Sequence, residues 1–198
     1  IVFYCSDERH ALSAWTSTSR ELTDENSIRI PKLLTMLATE GHATPFEKST
    51  LHFLITTEIA THIQIIKHRI GVSFNGESAR YKELKDDKFY LPVDWDQEQL
   101  KEYEEFMQLA YDKYHKTLNS LIAKGMPRKR AKESARFYLP YGNQITADVS
   151  FNFRSFMHFQ GLRNEDHAQS EIKFLAQDML RLVKETGKFD ASLAAFGY

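Results

Sequence analysis

The sequence of 198 residues contains one cysteine, Cys5. A single cysteine excludes an internal disulfide framework and a cysteine-cluster metal site. Such scarcity suits a reducing compartment, and we therefore expect a cytoplasmic protein. The carboxylate–histidine pairs Glu58/His62 and His167/Glu171 have metal-ligand spacing, but neither has a third ligand at matching spacing. We therefore expect no metal site.

Long apolar runs and an excess of one charge are also missing. No segment approaches the roughly 20 apolar residues that span a bilayer, and no basic signal-peptide region follows Ile1. The chain has 26 Lys and Arg against 27 Asp and Glu, a net charge of -1. We therefore expect neither a nucleic-acid nor a membrane partner. Because the sequence opens on Ile1 instead of Met, we expect the natural chain to begin earlier.

Glycine and proline are few, with 8 Gly and 5 Pro, and no repeat or Gly/Ser linker interrupts the chain. We therefore predict a single domain over residues 1–198. Apolar periodicity predicts an α+β fold, helix-rich, with long helices and a small mixed sheet. The predicted helices cover residues 30–38, 51–70, 96–122 with Asp96 as its cap, 127–137, 151–159 and 172–183. The predicted strands cover residues 1–5, with Cys5 as a small core residue, and 143–149.

A dense array of hydrogen-bond donors lies in and after the predicted helix 51–70. Gln64, Lys67 and His68 would share one helix face, and further donors follow. These are Arg69, Ser73, Asn75, Ser78 and Arg80. Such an array suits phosphate groups because Arg and Lys give charge-assisted hydrogen bonds. The alternative is a basic helix end paired with surface carboxylates.

Three other clusters each have a structural and a functional interpretation. Thr44, Pro45 and Glu47 are typical of a helix start, with His42 as an unexplained addition. Residues 151–163 place polar groups in an aromatic stretch, as either a binding set or a satisfied internal network. The segment 124–136 has six basic residues and one acid, and is either a nucleic-acid patch or, more commonly, a solvated helix face.

Several motifs in the same order resemble the flavin-dependent thymidylate synthases. The family's Arg-His-Arg and Ser-x-Arg elements match Lys67-His68-Arg69 and Ser78-Ala79-Arg80. Its upstream His-x-Thr-Pro-Phe-Glu matches residues 42–47. Downstream matches are Arg136, Leu139-Pro140, Asn152-Phe153-Arg154-Ser155, Arg163 and residues 165–171. The similarity covers roughly residues 13–183.

The resemblance implies reductive methylation of deoxyuridine monophosphate (dUMP) to thymidylate (dTMP). Methylenetetrahydrofolate would supply the carbon, and NADPH would reduce a bound FAD that supplies the hydride. The resemblance also implies a homotetramer whose active sites are shared between subunits. Two alternatives remain: a flavin-dependent NADPH oxidase that has lost methyl transfer, and a nucleic-acid-binding protein that uses residues 124–136.

The resemblance also implies roles for individual residues. His42, Ser78 and Arg163 are the catalytic candidates, with His42 near the flavin ring and Arg163 at the uracil. The FAD set is Ser19, Thr44, Lys67, His68, Arg69, Asn75, Asn152, Arg154 and His158. The dUMP set is Gln64, Lys67, Glu77, Ser78, Arg80, Arg136 and Arg163. We favour Ser78 as a binding group over a nucleophile, since no His–Asp pair is evident to activate it.

The chain departs from the family pattern at three places. Lys67 replaces the first Arg of the triplet, which keeps the charge but loses the bidentate fork. The interval from Arg69 to Ser78 is one residue longer than usual, which leaves Gly76 where Glu is typical and Glu77 one step late. Lys48 replaces a second His after Phe46-Glu47.

Overall fold

The computed structural model describes residues 5–18, 21–83 and 86–198. Its helices α1 to α9 span Asp7–Trp15, Asp24–Ser27, Ile30–Thr39, Ile59–Ile65, Gln97–Ala123, Arg128–Ala135, Phe153–Arg163, Ser170–Glu185 and Asp190–Ala195. Short 3-10 helices span Thr16–Thr18, Thr44–Lys48 and Arg136–Tyr138. Strands β1 (Thr50–Glu58), β2 (Val72–Gly76) and β3 (Gln144–Asn152) form a sheet in the order β1-β3-β2. This arrangement confirms the helix-rich α+β prediction.

The chain divides into two compact units. The first unit comprises Ile1–Phe53, Ile66–Phe74 and Val149–Tyr198, and the second comprises Leu54–Ile65 and Asn75–Asp148. The assignment of residues 1–198 to one domain stays a prediction.

The first unit has an aromatic core. Phe46, Phe153 and Phe159 are fully buried, and the imidazole of His10 packs 5.2 Å from the Phe46 ring and 5.0 Å from the Phe153 ring. Trp15 is also buried, with 4% of its surface exposed. These side chains belong to α1, the 3-10 helix Thr44–Lys48 and α7, and their burial packs these elements together.

Three helices of the first unit, α1, α2 and α9, were not predicted. The strand predicted for residues 1–5 lies outside the described residues except for Cys5. Cys5 is exposed, so its prediction as a core residue was wrong; its Sγ contacts the carbonyl of Thr50 at 3.5 Å.

The second unit is built on the 27-residue helix α5. Asp96 caps it as predicted, in a capping box with Gln99. Tyr114 and Leu118 on its apolar stripe form a buried cluster with Ala131 and Ala135 of α6. This packing confirms the helical prediction for both segments. Trp95, 40% exposed, lies edge-on to the Tyr103 ring at 5.2 Å.

The predicted helix over residues 51–70 was wrong except over residues 59–65. Residues 50–58 form β1, and only Ile59–Ile65 is helical. Leu51 and Ile55 are both buried, and a four-residue step between apolar side chains fits either a strand face or a helix face. No helix among the described residues is long and apolar enough to cross a membrane.

Candidate functional site

A cavity in the first unit is strongly cationic. It has a volume of about 540 Å³. It is lined by Lys67, His68, Arg69, Ile70, Val72, Arg154, Ser155, His158, Leu162 and Arg163. None of the described residues that line it is acidic. Because four of them are Lys or Arg, the cavity is suited to a multiply anionic ligand.

Backbone contacts hold the segment after α4 against the start of α7. The Asn152 amide donates to the Gly71 carbonyl at 2.8 Å, and the Ser155 hydroxyl donates to the Ile70 carbonyl at 2.6 Å. Asn152 also caps α7, since its side-chain oxygen accepts the Ser155 N–H at 2.8 Å. These bonds place the segment 67–71 and the first turn of α7 on the same cavity.

Gly71 is required for this close approach. Its φ is +65°, and a Cβ there would lie 2.2 Å from Asn152 Nδ2 and 2.4 Å from Ser155 Oγ.

The segment before Gly71 is not helical. Lys67 and His68 lie beyond the end of α4, in a turn that leads to β2. The prediction that Gln64, Lys67 and His68 share one helix face was wrong, because the helix ends at Ile65.

Arg154 is paired with an acid from outside the cavity lining. Its Nη1 donates to Glu47 at 2.7 Å, and Glu47 belongs to the 3-10 helix Thr44–Lys48.

The 3-10 helix Thr44–Lys48 agrees only in part with the predicted helix start. Pro45 opens this helix as predicted, but Ala43, not Thr44, is its N-cap, and a strand follows it in place of a long helix. His42 and Thr44 are exposed and are not among the lining residues.

Arg163, at the end of α7, reaches back to His68. Its Nε–H donates to His68 Nε2 at 3.1 Å. Burial, followed by the charges of Arg163 and His158, lowers the pKa of His68 to about 4. The imidazole is therefore neutral near pH 7, and it packs edge-on to the buried Phe159 ring at 5.1 Å.

The other predicted site residues lie in the second unit. They are Gln64 on α4, Asn75 on β2, Glu77 and Ser78 after it, Arg80 in the following turn, and Arg136 at the start of the 3-10 helix Arg136–Tyr138. The Ser78 hydroxyl accepts the Arg80 N–H at 3.3 Å, which orders the turn. Ser19 lies outside the described residues. The roles of all these residues stay predictions.

Glu77 is engaged within the second unit. Its carboxylate accepts Lys82 Nζ at 2.5 Å and the Thr146 N–H at 3.0 Å. The hydrogen bond from Lys82 is the main cause that lowers the pKa of Glu77. Both carboxylate oxygens therefore have protein partners, which gives Glu77 a structural role beside the substrate role predicted for it.

The basic helix α6 is bonded to the turn that carries Arg80. Glu133 pairs with Arg80, Lys132 Nζ donates to the Tyr81 carbonyl at 2.5 Å, and Lys129 lies 5.1 Å from the centroid of the Tyr81 ring. Lys129 and Lys132, two of the six basic residues of the segment, therefore have partners in this turn. Glu133 was missed as a positioning candidate, although it is the one acid in that basic segment.

Glu58 and His62, one of the two pairs considered as metal ligands, have other partners. Glu58 accepts hydrogen bonds from Thr61 and Thr57, and His62 Nε2 lies 2.9 Å from the Ile145 carbonyl. Within residues 5–18, 21–83 and 86–198, no three His, Cys, Asp or Glu side chains group in a way that could hold a metal ion.

Comparison with known proteins gives concordant matches. A family described as thymidylate synthase complementing protein matches residues 2–186. A flavin-dependent thymidylate synthase of Pseudothermotoga lettingae is 33% identical over 179 residues, 87% of this chain and 77% of that protein. One of Thermosipho africanus is 34% identical over 168 residues, 77% of this chain and 71% of that protein.

A solved structure is also similar over most of the chain. It is a UMP/dUMP methylase, PolB from Streptomyces cacaoi, bound with 5-Br dUMP. The TM-score is 0.77 at 27% sequence identity, and the match covers 97% of this chain and 90% of that one.

Proposed function

This chain belongs to the thymidylate synthase complementing protein family, as its motifs indicated, and from that premise we propose that it is a flavin-dependent thymidylate synthase. Its substrate would be dUMP and its product dTMP. The observation that carries the proposal is the cationic cavity of the first unit, which the family motifs line. Relatives named flavin-dependent thymidylate synthase and a dUMP methylase of similar structure support it.

The donor set of the cavity fits FAD. Lys67, Arg69 and Arg154 give three cations around a lining with no acid among its described residues, which suits a pyrophosphate. Charge-assisted hydrogen bonds to phosphate are stronger than neutral ones. When bound, the flavin would supply hydride chemistry. In this proposal Ser19, Thr44, Asn75, Asn152, His68 and His158 complete the FAD set.

Arg163 is proposed to bind the uracil of dUMP. A guanidinium stabilises negative charge that develops on the ring oxygens as the ring carbon becomes nucleophilic. Phosphate and sugar contacts are assigned to Gln64, Lys67, Glu77, Ser78, Arg80 and Arg136. Ser78 acts as a binding group in this scheme, and Cys5, exposed and outside every motif, has no covalent role.

Methylenetetrahydrofolate as carbon donor and NADPH as reductant are proposed from the family resemblance, with His42 near the folate-binding side of the flavin. We also propose a homotetramer with shared active sites. Support comes from large apolar side chains that are mostly exposed in the single chain, among them Ile28 at 82%, Ile70 at 88% and Phe137 at 83%. A second copy of the chain would bury such surface.

The proposal is tested by thymidylate formation. Purified protein is mixed with dUMP, methylenetetrahydrofolate and NADPH, with and without FAD, and dTMP is separated by chromatography. We expect product that depends on FAD. Arg163→Ala should reduce turnover at least 100-fold while FAD stays bound, since one preorganised donor at developing charge is worth about that factor.

The matched control is Arg181→Ala, which removes an exposed arginine of α8 held by Asp178 and Glu185. It should leave turnover within about twofold, as expected for surface ion pairs. NADPH consumption without dTMP would instead identify the oxidase alternative and overturn the proposed methylation.

A further inference from the structure

The contact between Arg163 and His68 fixes the protonation pattern of the imidazole. An arginine Nε carries a hydrogen and cannot accept, so His68 Nε2, 3.1 Å away, is the acceptor. An imidazole that accepts at Nε2 carries its proton on Nδ1 and is neutral. The lowered pKa of His68, about 4, agrees with this assignment.

A neutral acceptor orients a guanidinium without reducing its charge. Arg154 and Arg80 contact the carboxylates of Glu47 and Glu133, which offset their charges. The contact with His68 holds the Nε edge of Arg163 and subtracts nothing from its positive charge. An arginine that binds negative charge on a ligand gains direction from such a contact, and the contact itself offsets none of its charge.

The imidazole is itself held in place by its surroundings. Its ring lies edge-on to the buried Phe159 at 5.1 Å and to His158 at 6.1 Å, with interplanar angles of 68° and 66°. Both neighbours are on α7, the helix that ends at Arg163. The acceptor and the guanidinium are therefore fixed to one helix, and His68 is placed to set the direction of Arg163.

We propose that His68 is a positioning residue for nucleotide binding, which in its neutral Nδ1–H form accepts Arg163 Nε–H and aims the guanidinium at the pyrimidine. This inference rests on the proposed function. The family resemblance assigns His68 to the flavin, and the contact with Arg163 gives it a second, distinct task that can be measured separately.

The test is a double-mutant cycle on dUMP affinity, measured by calorimetry on FAD-loaded protein, with flavin content checked by absorbance for each variant. Arg163→Lys keeps the charge but removes the Nε donor. His68→Leu removes the acceptor, whereas His68→Gln offers an oxygen close to the position of Nε2. We expect His68→Leu to weaken dUMP binding about tenfold and His68→Gln by no more than about threefold, the range of one oriented hydrogen bond to a charged group.

The decisive quantity is the coupling between the His68 and Arg163 substitutions in their effect on dUMP affinity. In the Arg163→Lys background, His68→Leu should weaken dUMP binding by no more than about twofold, because the contact is already lost. His52→Leu is the matched control: it removes an exposed imidazole of β1 that is outside the cavity lining, and its effect should add to that of Arg163→Lys. Additive effects for His68 with dUMP binding intact would overturn the positioning role, whereas wild-type protein that binds no dUMP would overturn the proposed function instead.

A second readout does not depend on ligand. Nitrogen chemical shifts in histidine-labelled protein distinguish the two neutral tautomers, and we expect His68 to hold its proton on Nδ1. Arg163→Lys should convert this signal to a mixture of tautomers. A mixture already present in the wild-type protein would contradict the assignment.

Discussion

At the scale of single residues, Gly71 determines the backbone path beside the cavity. It is the point where the chain passes the cap of α7, and both its φ of +65° and its contacts exclude a side chain. The cationic segment before it follows a path that only glycine allows without rearrangement.

Gly71→Ala should therefore destabilise the protein strongly. A left-handed φ costs a residue with a Cβ about 1–2 kcal/mol, and the overlap with Asn152 and Ser155 adds to this. We expect a total loss of about 3 kcal/mol in the free energy of unfolding, measured by denaturant titration.

Gly41→Ala is the control for this measurement. Gly41 has a similar φ of +71°, but nothing lies within 4 Å of its Cβ position, so the loss should be about 1 kcal/mol. Equal losses for the two variants would show that the packing against α7 contributes nothing.

At the scale of elements, sequence patterns predicted the helices whose caps and apolar faces lie within their own segments. The cap and stripe of α5 lie within its own segment, and so does the apolar face of α8. By contrast, α9 is capped by Asp7, whose carboxylate accepts the Ala191 and Ser192 N–H groups at 2.8 Å from across the sequence. No local pattern contains that information, and α9 was missed.

In the candidate site, likewise, local motifs indicated the cationic residues but not the acids that pair with them. Motifs indicated Lys67, His68, Arg69, Arg154, His158 and Arg163, and the structure brings them to one cavity. The ion pairs of Arg154 with Glu47 and of Arg80 with Glu133 were not predicted. Glu47 and Arg154 are 107 residues apart in the sequence, and the contact between Glu133 and Arg80 depends on the fold of the second unit.

The helix α6 gives a prediction at this scale. Its Glu133 holds Arg80, so Glu133→Gln should loosen the turn that carries the proposed nucleotide contacts. Because the Arg80 side chain is 48% exposed, the pair is worth no more than about 1 kcal/mol. We expect the KM for dUMP to rise about two- to fivefold, with kcat nearly unchanged.

Steady-state kinetics measure this separation of KM from kcat. Glu185→Gln makes the same chemical change in an exposed pair with Arg181 on α8 and should alter neither constant. A fall in kcat with an unchanged KM for Glu133→Gln would contradict a positioning role for α6.

At the scale of the whole molecule, buried histidines link stability to pH. Burial lowers the pKa of His10 to about 3 and of His68 to about 4, and it also lowers the pKa of His62. In the unfolded chain these groups titrate near 6.5. Below pH 6.5 the unfolded chain therefore binds protons that the folded chain does not, and the free energy of unfolding falls as the pH falls.

His10 gives the clearest test because it is fully buried. Between pH 6 and pH 4 its contribution should approach about 1.4 kcal/mol per pH unit, the limit for one proton. In His10→Asn this slope should be shallower by about that amount, as measured by denaturant midpoints at fixed flavin concentration. Asp7, whose pKa burial raises, acts with the opposite sign in the wild-type protein. An unchanged slope would show that His10 is not the linked group.

The two indole side chains give the molecule an internal optical probe in each unit. Trp15 is buried in the first unit and Trp95 is partly exposed to water in the second. We therefore expect the emission maximum of Trp15 at a shorter wavelength than that of Trp95. Replacing either one with Phe leaves fluorescence that reports on a single unit. Melting followed through each fluorophore in turn then distinguishes one cooperative domain, for which the curves coincide, from stepwise loss of two units.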